Sequence, residues 1–253
     1  MLHRLKRHPV PIQAHFRHCL VLTYAFPIET LRTLLPPGLA VDEWRGHGFV
    51  AVAMVQTEHL RPVGLPAFLG SDFFLTGYRV FATYRTAEGR TLRGLRILRS
   101  DANRKRMVWG GNLLTHYQYR LCTADVHFSD GTLHVRVRSR DRQADIDLTA
   151  HVNRDADVPD RGIFSTWKEA RRFAGPLPYT FDYEKETHSI VRIRGVRQNW
   201  NPRPVAVEVR EITMLRAPMF QGATGVFAGA FHTSGIDYRW ERGILEPLGT
   251  TVQ

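Results

Sequence analysis

A chain of 253 residues, 43% apolar and 23% charged, has the composition of a soluble globular protein and lies outside the disordered class. Its formal charge is +11. Only Lys6, Lys105, Lys168 and Lys185 are lysines, so amine chemistry has four candidates and arginine supplies the remaining fixed charge.

The basic start (His3, Arg4, Lys6, Arg7, His8) runs into Pro9, Pro11, His15 and Arg17, which break any signal-peptide core. Residues 1–15 read as a basic arm and 16–253 as one domain. Cys19 to Ala25 is apolar and β-branched, the pattern of a buried strand. Pro27 then opens a short helix with Ile28, Leu31, Leu34 and Leu35 at helical spacing, stopped by Pro36-Pro37-Gly38. Leu39–Trp44 and Gly48–Gln56 predict two further strands, and Arg61 to Pro66 an irregular loop. Phe73–Tyr84 and Thr91–Arg99 flank Ala87-Glu88-Gly89, a hairpin signal.

The central stretch, Arg93 to Arg120, predicts strand, one or two helical turns, glycine turn and strand. Ser100 or Asp101 would cap the helix, and Gly110-Gly111 would end it. The next strand is expected over Thr115–Cys122. Beyond the Ser129-Asp130-Gly131 turn, His134, Arg136, Arg138 and Arg140 alternate with Val135 and Val137, placing the bases on one strand face. Residues 141–164 read as polar turns. Thr166–Phe173 predicts a helix broken by Gly175-Pro176, and Ser189–Val196 and Pro204–Leu215 predict strands. About ten strands, few short helices and no β-α alternation predict a mainly β (α+β) fold, a single antiparallel barrel-like domain.

Cys19 and Cys122 lie in apolar runs and read as buried free thiols, which suits a reducing cytoplasm. There is no CxxC, no HExxH and no apolar run of 18 residues, so no metal, cofactor or membrane partner is expected.

Several stretches resemble a known family: Phe26-Pro27-Ile28-Glu29-Thr30-Leu31-Arg32, Leu35-Pro36-Pro37-Gly38-Leu39, Arg61 to Pro66, Gly175 to Tyr179, and His232 to Asp237. In order and spacing they are similar to the bacterial domain of unknown function 2071, itself similar to the acetoacetate decarboxylase superfamily. That resemblance implies a cone-shaped antiparallel β-barrel with a central cavity and admits a homo-oligomer. It also implies a Schiff-base lysine just past a glycine turn. Here Gly110-Gly111-Asn112-Leu113-Leu114 puts leucines at the lysine positions, Ala25 follows Thr23-Tyr24 where a substrate-binding arginine is implied, and Thr76 stands where a glutamate is. Decarboxylation through an imine is therefore not expected.

The leading expectation is a barrel that binds a compact organic ligand, a carboxylate among the candidates, through Tyr78, Arg96, Asn112 and Tyr117. An alternative is an enzyme using His116 as general acid or base. A third is a nucleic-acid module using the Arg136, Arg138 and Arg140 face, which solvation of a strand explains as well. Lys105 sits among Arg104 and Arg106 in a basic turn. His232, Ser234 and Asp237 read as a hydrogen-bonded turn rather than a triad.

Overall fold

The computed structural model describes residues 2–154, 156–158, 162–175 and 177–248. Pro176, expected to help break the helix after Thr166, lies outside them.

In chain order the elements begin with β1 (Ile12–Pro27), α1 (Ile28–Arg32), β2 (Leu39–Val41), β3 (His47–Pro62), β4 (Ser71–Arg85) and β5 (Thr91–Ala102). Next come α2 (Lys105–Leu114), β6 (Tyr119–Ser129), β7 (Thr132–Ser139), β8 (Ile146–His151) and α3 (Trp167–Ala170). The chain finishes with β9 (Tyr179–Glu184), β10 (Ser189–Arg197), β11 (Arg203–Pro204), β12 (Ala206–Ile212), β13 (Val226–Trp240) and β14 (Ile244–Pro247). Short 3-10 turns fill several connections, including Leu2–Arg7 and Ala67–Leu69.

Seven strands close a ring in the order β1, β3, β4, β5, β9, β10, β13 and back to β1. The seam between β5 and β9 is parallel, where the sequence predicted a wholly antiparallel barrel. Two seams are short. Gly94–Arg96 against Tyr179–Phe181 and Gly195–Arg197 against Tyr238–Trp240 each join three residue pairs.

A second layer, β6, β7, β8 and β12, continues from β5 through a parallel pairing of Ser100–Ala102 with Tyr119–Leu121. Its apolar face (Leu133, Val135, Val137, Ile146, Leu148) covers the outside of β1, β3 and β4 at Leu20, Leu22, Val52, Tyr78 and Val80. Strands β1 and β3 are thus buried on both faces, which is why they read as continuous apolar runs. Each fully covered side chain of this kind contributes about 1.5–3 kcal/mol.

The structure corrects the central stretch. β5 continues through Ala102, so Ser100 and Asp101 are strand residues; Arg104 occupies the helix N-cap and makes no side-chain cap. α2 runs straight through Gly110-Gly111 to Leu114, with Thr115 as its C-cap, and neither glycine has positive φ. Gly111 is needed for space instead: a Cβ there would stand 2.3 Å from the Tyr119 ring. Residues 115–118 are turn, and the following strand starts only at Tyr119. β8 rises from a stretch expected to be turns, and β3 extends to Pro62, into the expected loop. His232 to Asp237 is part of the long strand β13, not a turn. The β6–β7 hairpin follows expectation, with positive φ at Asp130 and Gly131, and Cys19 and Cys122 are buried free thiols.

Candidate ligand-binding site

The barrel interior has a filled end and a hollow end. At the filled end Phe49 packs on Phe173 and Phe164 at centroid distances of 4.1 and 5.2 Å, with Phe81 edge-on to Phe173 at 5.3 Å. Thr23 Oγ1 donates to the Phe173 carbonyl at 2.7 Å, which anchors this plug to β1. The hollow end holds a cavity of about 280 Å³. Phe16, Val55, Phe73, Leu75, Ile97 and Trp240 form apolar walls, and Arg79, Tyr117, Tyr119, Thr180 and Tyr238 bring polar groups.

Arg79 reaches the cavity because β4 alternates: Phe73, Leu75 and Arg79 line it, while Phe74, Tyr78 and Val80 pack in the core under the second layer. Among the described residues no carboxylate lies within 4 Å of the Arg79 guanidinium. Its charge is felt by the groups around it. Burial pushes Tyr119 and Cys19 up to about 12, and the Arg79 charge opposes the shift at both. Tyr117 is pushed up by burial as well, so its hydroxyl is a neutral donor at ordinary pH. That hydroxyl is buried and, among the described residues, makes no hydrogen bond of good geometry; the Thr180 side chain lies beside it.

The residues expected to form a site divide between three places. Tyr117 lines the cavity. Tyr78 does not; it is fully buried outside the ring, where burial and then Asp101 raise its pKa. Arg96, Asn112 and His116 line a second, more polar depression of about 500 Å³, together with Lys6, Asp182 and Lys185. There Arg96 pairs with Asp182. Both ends of the Asn112 amide bond the Tyr119 backbone, at 2.9 and 2.7 Å, and so latch α2 to β6. His116 Nε2 has no hydrogen-bond partner and stands 4.0 Å from Glu184 Oε2, whose carboxylate is held by Arg7 and Thr187. Burial, reinforced by Lys6, holds the His116 imidazole below its usual pKa, against the pull of Glu184.

Sequence reasoning missed Arg79, Tyr119, Thr180 and Tyr238. For Arg79 the available signal was parity: it follows Tyr78 by one residue, so only one of them faces inward. On β5 Ile97 lines the cavity and Arg96 the outer depression. The β4–β5 register then skips Leu98, pairing Tyr78 with Arg99 and Arg79 with Ile97, and beyond this bulge Ser100 lines the cavity.

The Arg136 face is largely ion-paired. Arg136 Nε donates to Asp147 at 3.0 Å and Arg138 Nη1 to Glu211 at 2.6 Å. Among the described residues no cluster of three His, Cys, Asp or Glu side chains could hold a metal, and no helix is long and apolar enough to cross a membrane.

Residues 13–234 match the family of the domain of unknown function 2071, described as an uncharacterized conserved protein. The chain belongs to this family. No curated protein sequence matches it. In fold, this family member is similar to acetoacetate decarboxylase from Legionella pneumophila, with a TM-score of 0.63 and 13% identity over 94% of this chain and 87% of that one. An acetoacetate decarboxylase-like enzyme from Sphingomonas wittichii RW1 gives 0.57 and 13%, covering 95% and 94%. The enduracididine biosynthesis enzyme MppR, solved in complex with pyruvate, gives 0.59 and 13%, covering 94% and 90%. These likenesses establish the barrel fold.

Proposed function

We propose that this barrel binds a compact organic carboxylate in its interior cavity, with Arg79 as the anion-holding group. The observation that carries this is an arginine inside an apolar cavity with no carboxylate partner among the described residues. A guanidinium in such a place is most stable when an anion completes its hydrogen bonds. The buried Tyr117 hydroxyl offers a second contact, and apolar walls select a ligand with a hydrocarbon body. That MppR holds pyruvate, a small carboxylate, in the same fold supports the ligand class.

Imine chemistry finds no support. None of the four lysines lines the cavity; Leu114, at a position where the resemblance implies lysine, does. Lys6 and Lys185 line the outer depression, and Lys105 is exposed on α2. The reading is therefore a binding barrel, or an enzyme whose chemistry is not a Schiff-base decarboxylation.

Calorimetric titration with a series of short aliphatic and aromatic monocarboxylates tests it. Arg79→Met is expected to weaken binding about ten- to a hundredfold, the range for a hydrogen bond to a charged group, and Tyr117→Phe about fivefold. No carboxylate bound by the wild type, or equal affinity in Arg79→Met, overturns the reading.

A second reading, acid–base catalysis at His116, rests on its free Nε2 beside the buried Glu184. It requires turnover with a pH profile that His116→Ala abolishes; turnover unchanged in that variant removes it.

A further inference from the structure

The hollow end of the barrel opens through a rim whose exposed side chains are of two kinds. Val10, Val63, Leu65, Phe68, Leu69 and Trp109 are apolar and exposed; Phe68 at 82% and Trp109 at 73% are the most exposed large apolar residues described. Leaving much of their apolar surface in water, such side chains gain less from folding than core residues do, and a cluster of them marks a contact surface. Arg104, Lys105 and Arg106 are also exposed, and none takes part in a salt bridge among the described residues. Asp72, at the start of β4, accepts from the His59 backbone at 2.7 Å.

The elements that carry these residues converge on the cavity mouth. Val10, Pro62, Arg106, Met107 and Gly110 line the cavity directly. Val63 N–H donates to the Pro11 carbonyl at 3.0 Å, which ties the loop after β3 to the chain before β1. Arg61 holds that loop in shape by donating to the carbonyls of Leu65 and His59. Asn103, just before α2, is bonded both ways to Phe74 on β4, at 3.2 and 2.8 Å, so the basic start of α2 lies beside the strand that follows Phe68 and Leu69.

We propose that this rim docks the barrel onto an anionic lipid surface, with Phe68, Leu69 and Trp109 entering the headgroup layer and the three bases at the start of α2 meeting lipid phosphates. Aromatic and aliphatic tips ringed by lysine and arginine match the interface, where one end of a group is apolar and the other wet. Charge chooses among occupants. A second copy would bring the same unpaired bases and a further +11 charge against this rim, whereas an anionic bilayer neutralises them. The surface also surrounds the mouth of the apolar-walled cavity. Sequence reasoning expected no membrane partner because nothing spans; surface docking needs no span.

Flotation with phosphatidylcholine vesicles, with and without phosphatidylglycerol, tests this independently of any cavity ligand. Wild-type protein is expected to float only with the mixed vesicles and to be released by high salt. Phe68→Ser with Trp109→Ser abolishes flotation, and each of Arg104→Ser and Lys105→Ser lowers the partition coefficient about fivefold. All four positions are exposed, so thermal midpoints stay unchanged and loss of binding is not loss of fold. The proposal falls if the wild type does not float, or if Phe68→Ser with Trp109→Ser floats as before. It falls equally if the wild type sediments as a dimer that this double variant splits, which assigns the rim to a second copy, or if the same bases retain duplex DNA but not vesicles.

Discussion

The Arg79 side chain lies over Gly77: a Cβ at position 77 would stand 3.1 Å from both Nε and Nη2 of the guanidinium. Two residues back on the same strand face, the missing side chain is what lets the arginine settle into the cavity. Gly77→Ala is expected to lower carboxylate affinity several-fold and Gly77→Val at least tenfold, by displacing the guanidinium. Calorimetry on the two variants checks the order; equal affinity in Gly77→Val separates Arg79 from binding.

Adjacent glycines in α2 are expected to respond in opposite directions. Around Gly110 an added methyl meets nothing within 4 Å, so Gly110→Ala gains helix propensity, up to about 1 kcal/mol. At Gly111 the same methyl meets the Tyr119 ring at 2.3 Å, and Gly111→Ala costs roughly 1–3 kcal/mol by overpacking. Urea unfolding of both variants measures the contrast, and the same sign in both refutes it.

Arg99 is 4% exposed and bridges two carboxylates, Asp101 at 2.7 Å and Asp141 at 2.8 Å. Asp101 is fully buried. Replacing Arg99 with Leu leaves that charge unpaired and is expected to cost about 3–5 kcal/mol. The double change Arg99→Leu with Asp101→Leu is expected to recover much of the loss. Denaturant midpoints of the single and double variants decide it; the double variant being weaker than the single excludes this account.

His18 Nδ1 and His232 Nε2 lie 3.1 Å apart on β1 and β13. Burial, reinforced by His18, pushes the His232 imidazole down to about 4, against about 6.5 in an unfolded chain. The unfolded state therefore binds the extra proton first. This contribution is complete above about pH 6.5 and is lost as pH falls through the window down to about 4. Allowing for partial exposure, it is roughly 2 kcal/mol. Thermal melts from pH 7 to pH 4 are expected to show a shallower slope in His232→Gln than in the wild type.

Fold class was legible in the sequence because strand count, turn signals and the lack of β-α alternation are local properties. The Arg136, Arg138 face was legible for the same reason, since Val135 and Val137 between them must face the core. What escaped were decisions made at a distance. Whether Tyr78 or Arg79 looks inward depends on which face of β4 the second layer covers. Gly110-Gly111 looked like a stop because glycine usually ends helices, but here the selecting neighbour is Tyr119, a ring from the next strand. Ile146–His151 read as polar turns because Asp145 and Asp147 interrupt it; Asp145 in fact accepts from the Ser139 backbone, and Asp147 from Arg136 and Arg210.

The two three-pair seams of the ring bracket the same hairpin, β9 with β10. A cask parts where its staves are least hooped, and opening free energy follows the number of bonds that must break together. Thr180, on this hairpin, lines the cavity. Because β14 adds four pairs to the β10 edge, the parallel β5–β9 joint is the most sparsely bonded line of the ring, and it stands apart from the long β1, β3 and β4 wall that carries Arg79.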